Sequence, residues 1–175
     1  TAESVIRGEL VIDEGDPFTK LGLEKSVAAL KARNIFKSVN YKVEDGSEKN
    51  LKRIKINIEE RPTGEISAGA GIGTDGGRFA ISIQENNYLG EGKQLGFDLE
   101  VDKDSLAGTF SYNNPNYDFL GNSIFYSLRS EKNDVPTRGY ENSIVSGAIS
   151  TSFEQYRDIN LNLGLSASLD DLSTL

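Results

Sequence analysis

The chain contains no cysteine, no histidine and only four prolines in 175 residues. Without cysteine there is no disulfide, no thiolate nucleophile and no Cys-based zinc site, which fits a compartment where free thiols would be oxidised. Without histidine no Ser–His or Cys–His machinery can be assembled, so imidazole catalysis is excluded. Positive charge is also scarce: the net charge of −8 argues against a nucleic-acid partner, which usually needs a basic stripe to displace counterions. No stretch reads as a signal peptide, and no run of about 18 apolar residues is present, so no helical membrane span is expected. A transmembrane β-strand stays open, because it hides only alternate residues in lipid and leaves little trace in average hydropathy. The length suits one domain or two small ones and suffices to bury a core without staples.

Glycine, by contrast, is plentiful, and GIGTDG, Gly71 to Gly76, fits the G-x-G-x-x-G pattern of dinucleotide sites. That motif holds a pyrophosphate only where it closes a strand and opens a helix, whose free N–H groups bind the anion. Here "RFAISIQ" follows, with Phe79, Ile81 and Ile83 alternating with Arg78, Ala80 and Ser82. The period is that of a strand, so no nucleotide cofactor is expected and the glycines need another explanation.

Charge and pattern divide the chain near Arg61-Pro62-Thr63-Gly64, since Pro and Gly punctuate elements and boundaries fall in such segments. Residues 1–60 carry eleven basic and eleven acidic side chains, so the net negative charge belongs to the remainder. In the first part Val5, Ile6 and Leu10 have helical spacing. After the break at "DEGDPF", Thr19 can cap a second helix with Leu23, Val27 and Leu30 on one face and Asn34 at its end. Two strands follow, one with Val39, Tyr41 and Val43 on a face and the other with Ile54, Ile56 and Ile58. The order predicts an α+β module in which Val27, Leu30, Phe36, Val39, Ile54, Ile56 and Ile58 are buried together. A two-stranded sheet is marginal, which predicts a further strand before Thr1.

The second part alternates throughout. Ile66, Ala68, Ala70 and Ile72 oppose Glu65, Ser67, Gly69, Gly71 and Gly73; Leu95, Phe97, Leu99 and Val101 oppose Gln94, Gly96, Asp98, Glu100 and Asp102. Ile159, Leu161, Leu163, Leu165, Ala167 and Leu169 form the last such face, and strands are expected near 78–86, 105–113, 122–131 and 141–152. The intervening segments have turn chemistry, so seven strands in an antiparallel meander are the simplest topology. Two readings of the alternation remain open. A soluble β-sandwich binding module alternates because each sheet has a wet and a buried face. A membrane barrel alternates between lipid and lumen, and strands of about nine to eleven residues suit a tilted crossing. Asp98, Glu100 and Asp102 could hold a cation or act as paired carboxylates, but a solvated face is the simpler reading, and neither "EDGSEKN" nor "DLEVDKDS" has the ordered calcium-loop pattern. No metal, cofactor or catalytic residue is therefore expected.

The segments "ARNIFKSVNYKVED", "KINIEERPTGEISAGAGIGTDGG", "QENNYLGEGKQLGFDLE" and "SYNNPNYDFLGNS", in that order and spacing, resemble the BamA family of bacterial outer-membrane assembly factors. The joint "IEERPTG" resembles the family's passage from its last POTRA domain into the first barrel strand, the turn Asn87, Leu89, Gly90 and Gly92 its "N-x-L-G-x-G" turn, and Asn114-Pro115 its "NP" turn. The resemblance implies an α+β POTRA-like module lacking its first strand, residues 1–61, in the periplasm. It implies about seven N-terminal strands of an outer-membrane β-barrel over residues 62–175, the chain looking like a fragment of a barrel of roughly sixteen strands, so that seven cannot close. The implied activity is assembly and insertion of β-barrel proteins into the outer membrane, with no enzyme chemistry. Its implied partners are unfolded outer-membrane protein substrates, outer-membrane lipid and accessory assembly lipoproteins. Translocation or secretion pores of the same superfamily are the implied alternative.

Under that resemblance Ile66, Ala68, Gly69, Ala70, Gly71, Ile72 and Gly73 form a weak lateral edge that can template an incoming strand, and Glu60, Arg61, Pro62, Thr63 and Gly64 form the joint. Glycines that merely relieve crowding or make a bulge are the competing explanation. The charged strand face of Arg53, Lys55, Asn57 and Glu59 reads as solvated, with its edge a peptide site by resemblance. Turns at 74–77, 102–105 and 132–139 would be external and those at 87–92, 114–121 and 153–157 periplasmic. Leu95, Phe97, Leu99, Leu161, Leu163 and Leu165 would face lipid, so the isolated chain is expected to hide them by self-association or in detergent.

Overall fold

The computed structural model describes residues 1–48, 50–73, 76–135, 139–156 and 159–174. Helix α1 spans Glu3–Arg7 and α2 spans Lys20–Ala32. The Thr19 hydroxyl accepts the Gly22 N–H at 3.1 Å, filling one of the four donors a helix start leaves free. Asn34 adopts φ 56°, a left-handed conformation that Asn tolerates and that ends a helix. The chain then enters β1 (Phe36–Asp45), which pairs antiparallel with β2 (Lys52–Glu60).

Val5, Leu23, Val27, Leu30, Ile35, Phe36 and Val39 form the buried core of this module. Ile54, Ile56 and Ile58 share the face predicted for them but are only half-buried against that core. The reason is geometric: α2 lies against β1, leaving β2 at the margin of its cover. Tyr41 of β1, opposite Ile56, is also exposed. Ser26 is fully buried in α2. Its hydroxyl donates to the Gly22 carbonyl at 2.9 Å and accepts the Val11 N–H at 2.8 Å, so a polar group inside the core is satisfied and ties the α1–α2 connection down.

The remaining strands are β3 (Gly64–Gly73), β4 (Gly76–Tyr88), β5 (Lys93–Asp102), β6 (Ser105–Asn114), β7 (Ser123–Val135), β8 (Tyr140–Tyr156) and β9 (Ile159–Thr174). They form one antiparallel sheet in strict sequence order. The last three strands outrun their apolar alternation because residue-for-residue pairing continues through polar partners such as Asn133↔Asn142 and Asp134↔Glu141; a ladder needs backbone groups, not apolar side chains. The tips of three expected turns, residues 74–75, 136–138 and 157–158, lie outside the described residues.

Register puts the apolar residues on one face across all seven strands. Ile66 opposes Ile83, which opposes Phe97, which opposes Phe110, which opposes Leu128; further along, Ile149 opposes Leu165. The other face carries Ser67, Ser82, Asp98, Thr109 and Arg129 in the same row. A sandwich would need a second sheet over the apolar face, but the seven strands form a single sheet and that face is open: Ile66 is 77%, Leu165 79% and Leu169 78% exposed. Among the described residues no helix is long and apolar enough to cross a membrane, which says nothing of strands.

Candidate functional site

The residues expected to form the lateral edge are brought together in β3, the first strand of the sheet. It pairs with β4 on one side and, among the described residues, with no strand on the other. Its register to β4 is unbroken from Gly64↔Glu85 to Gly73↔Gly76. Ile66, Ala68, Ala70 and Ile72 lie on the apolar face opposite Ile83, Ile81, Phe79 and Gly77; Gly69 and Gly71 lie on the polar face opposite Ala80 and Arg78. Every residue of β3 is exposed.

Gly69, Gly71 and Gly73 of β3 have no local structural reason to be glycine. A Cβ built on Gly69, Gly71 or Gly73 meets nothing within 4 Å, and none of the three has positive φ. Neither crowding by the described residues nor a bulge accounts for them. What they do is remove cross-strand side-chain contacts, the unit of sheet stabilisation, and leave a strand of high conformational freedom in the chain's unfolded state. Gly76, at φ 118°, differs: there the backbone itself calls for glycine. The G-x-G-x-x-G stretch thus joins two strands and opens no helix.

The polar face next to β3 is a solvated ladder. Asp98 lies opposite Ser82 and Thr109, and Glu100 opposite Ala80 and Ala107. Arg78 reaches Asp102 at 3.8 Å, and Arg129 reaches Glu131 at 3.0 Å and Glu100 at 3.9 Å. The three acids spaced along β5 therefore do not converge on a common point, and among the described residues no group of acids is placed to hold a metal ion.

At the other end of β3 the joint is held on both sides. Glu60 ends β2 opposite Phe36. The Arg61 N–H donates to the Ile35 carbonyl at 3.4 Å and its guanidinium to Asn34 Oδ1 at 2.9 Å, fixing the linker to the module. Pro62 offers no N–H and restricts φ between the two anchors. Thr63 then belongs to the sheet: its hydroxyl donates to Glu85 Oε1 at 2.5 Å and its carbonyl accepts from Asn86 N–H at 3.2 Å.

Two turns of the sheet also dock on the module, which sequence pattern did not indicate. The Ala2 N–H donates to the Gly90 carbonyl at 2.7 Å, and Arg33 Nη2 donates to the Gly92 carbonyl at 2.9 Å. Asn116, in the turn after β6, donates to the Gly8 carbonyl at 3.1 Å. Gly92 has φ 65°, and a Cβ there would run into the Arg33 guanidinium and lie 2.9 Å from Val5, so both backbone and close packing favour glycine at this position of the turn. Glu9 stands 3.6 Å from Arg33, both side chains being mostly covered. Burial lowers the Arg33 pKa from its ordinary value, and Glu9 opposes that shift. Glu85 carried one legible signal: it breaks the apolar alternation of Phe79, Ile81 and Ile83. Arg33, Asn86 and Asn116 carried none, because tertiary docking leaves no period in a sequence.

The POTRA family model, described as "Surface antigen variable number repeat", matches residues 1–61. The outer membrane protein assembly factor BamA of Neorickettsia risticii (strain Illinois) is 30% identical over 179 residues, covering 98% of this chain and 23% of that protein. Among solved structures, BamA from Haemophilus ducreyi lacking POTRA domains 1–3 matches with a TM-score of 0.83 at 24% identity, over 99% of this chain and 34% of that one. CdiB from Acinetobacter baumannii matches with a TM-score of 0.66 at 14% identity, over 98% and 36%. The chain thus spans about a quarter of the length of the curated relative and about a third of each solved chain.

A POTRA module running straight into a one-sidedly apolar antiparallel sheet is the fold this chain shares with BamA from Haemophilus ducreyi and CdiB from Acinetobacter baumannii. The POTRA match, the likeness to the Neorickettsia and Neisseria BamA sequences and the shared fold together support its being a fragment of a BamA-family protein. It is an outer-membrane protein whose POTRA module lies on the periplasmic side.

Proposed function

We propose that residues 1–61 are a POTRA domain next to the membrane and residues 62–175 the first seven strands of a transmembrane barrel that assembles and inserts other outer-membrane β-barrel proteins. The observation that carries this reading is β3: a ten-residue strand at the sheet edge, attached directly to the POTRA module and without side chains on the outer half of its polar face, at Gly69, Gly71 and Gly73. In hydrocarbon every backbone N–H and C=O must be paired. An edge whose own closure is weak can exchange its partner for a strand of an unfolded client, which then enters the membrane already hydrogen-bonded on one side. No covalent step is involved. The apolar face of Phe79, Phe97, Leu128 and Leu165 meets lipid, and the face of Ser82, Asp98, Thr109 and Arg129 lines a wet lumen. β3 runs away from the periplasmic module, so Gly73, Gly76 and the β5–β6 turn are external and the docked turns at 87–92 and 114–121 are periplasmic. Accessory assembly lipoproteins are natural partners of the module, which stays outside the bilayer.

The test is reconstitution of the full-length protein carrying this chain in lipid vesicles, with a urea-unfolded barrel protein added from outside. The expected result is client folded into the bilayer, at least tenfold faster than in empty vesicles. Client delivered through the membrane into the vesicle interior, without insertion, would identify a translocation pore instead.

A further inference from the structure

The open end of the β3–β4 hairpin is where β3 should fray first. Its other end is tied covalently to β4 through the turn after Gly73, whereas Gly64 follows a linker. Yet this open end is tied by a connected set of side-chain hydrogen bonds. Glu85 Oε1 accepts two hydrogen bonds, from the Thr63 hydroxyl at 2.5 Å and from the Asn87 N–H at 2.7 Å. The adjacent Asn86 donates twice to the Thr63 carbonyl, from its backbone N–H at 3.2 Å and from Nδ2 at 3.3 Å. Asn87 Oδ1 in turn accepts the Gly92 N–H at 2.8 Å, and the Gly92 carbonyl accepts Arg33 of the module. Two routes therefore leave the module, one through Asn34, Arg61 and Thr63 and one through Arg33, Gly92 and Asn87, and both end on the same carboxylate oxygen.

We infer that Glu85 is a positioning residue that clamps the base of the edge strand and makes β3 and the POTRA module turn as one body. Bonds to an ionised acceptor are about twice as strong as neutral ones, and this acceptor is shared by linker and turn. A swing of the module that draws Thr63 away from Glu85 releases the base of β3, while glycine leaves the outer half of the strand little to hold it. The orientation of the module thereby sets how easily the edge opens. This consequence for assembly rests on the edge-strand reading above; the clamp itself does not.

The test compares Glu85→Ala, Glu85→Gln and Thr63→Val in the full-length protein in bilayers. The readouts are amide exchange over residues 64–68 and the spin-label distance between exposed Lys25 and Lys103. Glu85→Ala should speed exchange at 64–68 about tenfold or more, the size expected for losing charge-assisted bonds, and broaden the distance distribution. Gln keeps an oxygen acceptor for both donors and should restore most of each readout. Thr63→Val removes one donor at constant shape and, combined with Glu85→Ala, should add less than its separate effect. Exchange and distance unchanged in Glu85→Ala, or unchanged in Thr63→Val should Glu85→Ala fail to fold, would overturn the clamp. If both readouts move and the assembly rate does not, the clamp stands and the edge-strand reading falls.

Discussion

Phe97→Arg is expected to destabilise the protein in a bilayer by about 2–4 kcal/mol, the cost of a cation on the lipid face near the midplane. Phe97 sits at the middle of β5, between Ile83 of β4 and Phe110 of β6 on the apolar face, and is 44% exposed. Ser82→Arg moves the same side chain to the opposite face, between Ser67 and Asp98. There water and a neighbouring carboxylate solvate the guanidinium, and the expected cost is below about 1 kcal/mol, since lumen positions tolerate charge. Urea unfolding of the full-length protein in bilayers measures both. Equal costs at the two positions would mean that the faces are not lipid and water, and the transmembrane assignment would fail.

Filling Gly69, Gly71 and Gly73 of β3 is expected to strengthen the strand and weaken the function. Gly69→Val, Gly71→Val and Gly73→Val each place a β-branched side chain into open space. Each removes the roughly 0.5–1 kcal/mol entropic penalty of glycine in a strand. Together they amount to about 1.5–3 kcal/mol, or roughly 10- to 100-fold slower exchange of the β3 amides bonded to β4. If a loose edge is what admits client strands, assembly slows in the triple variant although its fold is more stable. Assembly at the wild-type rate, with β3 demonstrably protected, would show that edge weakness is not used.

Much of this was legible in the sequence because the signals are local. Thr19 before Leu23, Val27 and Leu30 announced a capped amphipathic helix, and its hydroxyl and core face are where that pattern puts them. Period-two alternation placed the strands and chose their faces, because a register slip of one residue would turn every apolar side chain to the wrong side. What escaped was tertiary. Ser26 reads as a surface residue of α2, but its two hydrogen bonds let it sit in the core. The isoleucines of β2 have a core pattern yet are half-covered, because a helix lying on β1 cannot also shield its neighbour. The edge glycines were readable as a motif; that they lack any packing role needed coordinates. Glu85 was visible as an interruption of alternation, but its two donors, at positions 63 and 87, meet only when the hairpin closes onto the linker.

The absence of cysteine from this chain makes one measurement on its central claim clean: single cysteines at Ile66, Ala68, Ala70 and Ile72 of β3, each tested for disulfide formation with cysteines along the last strand of a client stalled during assembly. The account predicts adducts at these positions in a fixed register, the client position shifting by two residues for each two-residue step along β3, and none from Ser127 in the interior strand β7. Adducts no more frequent from β3 than from Ser127, or without any register, would contradict the claim that this edge receives the client strand.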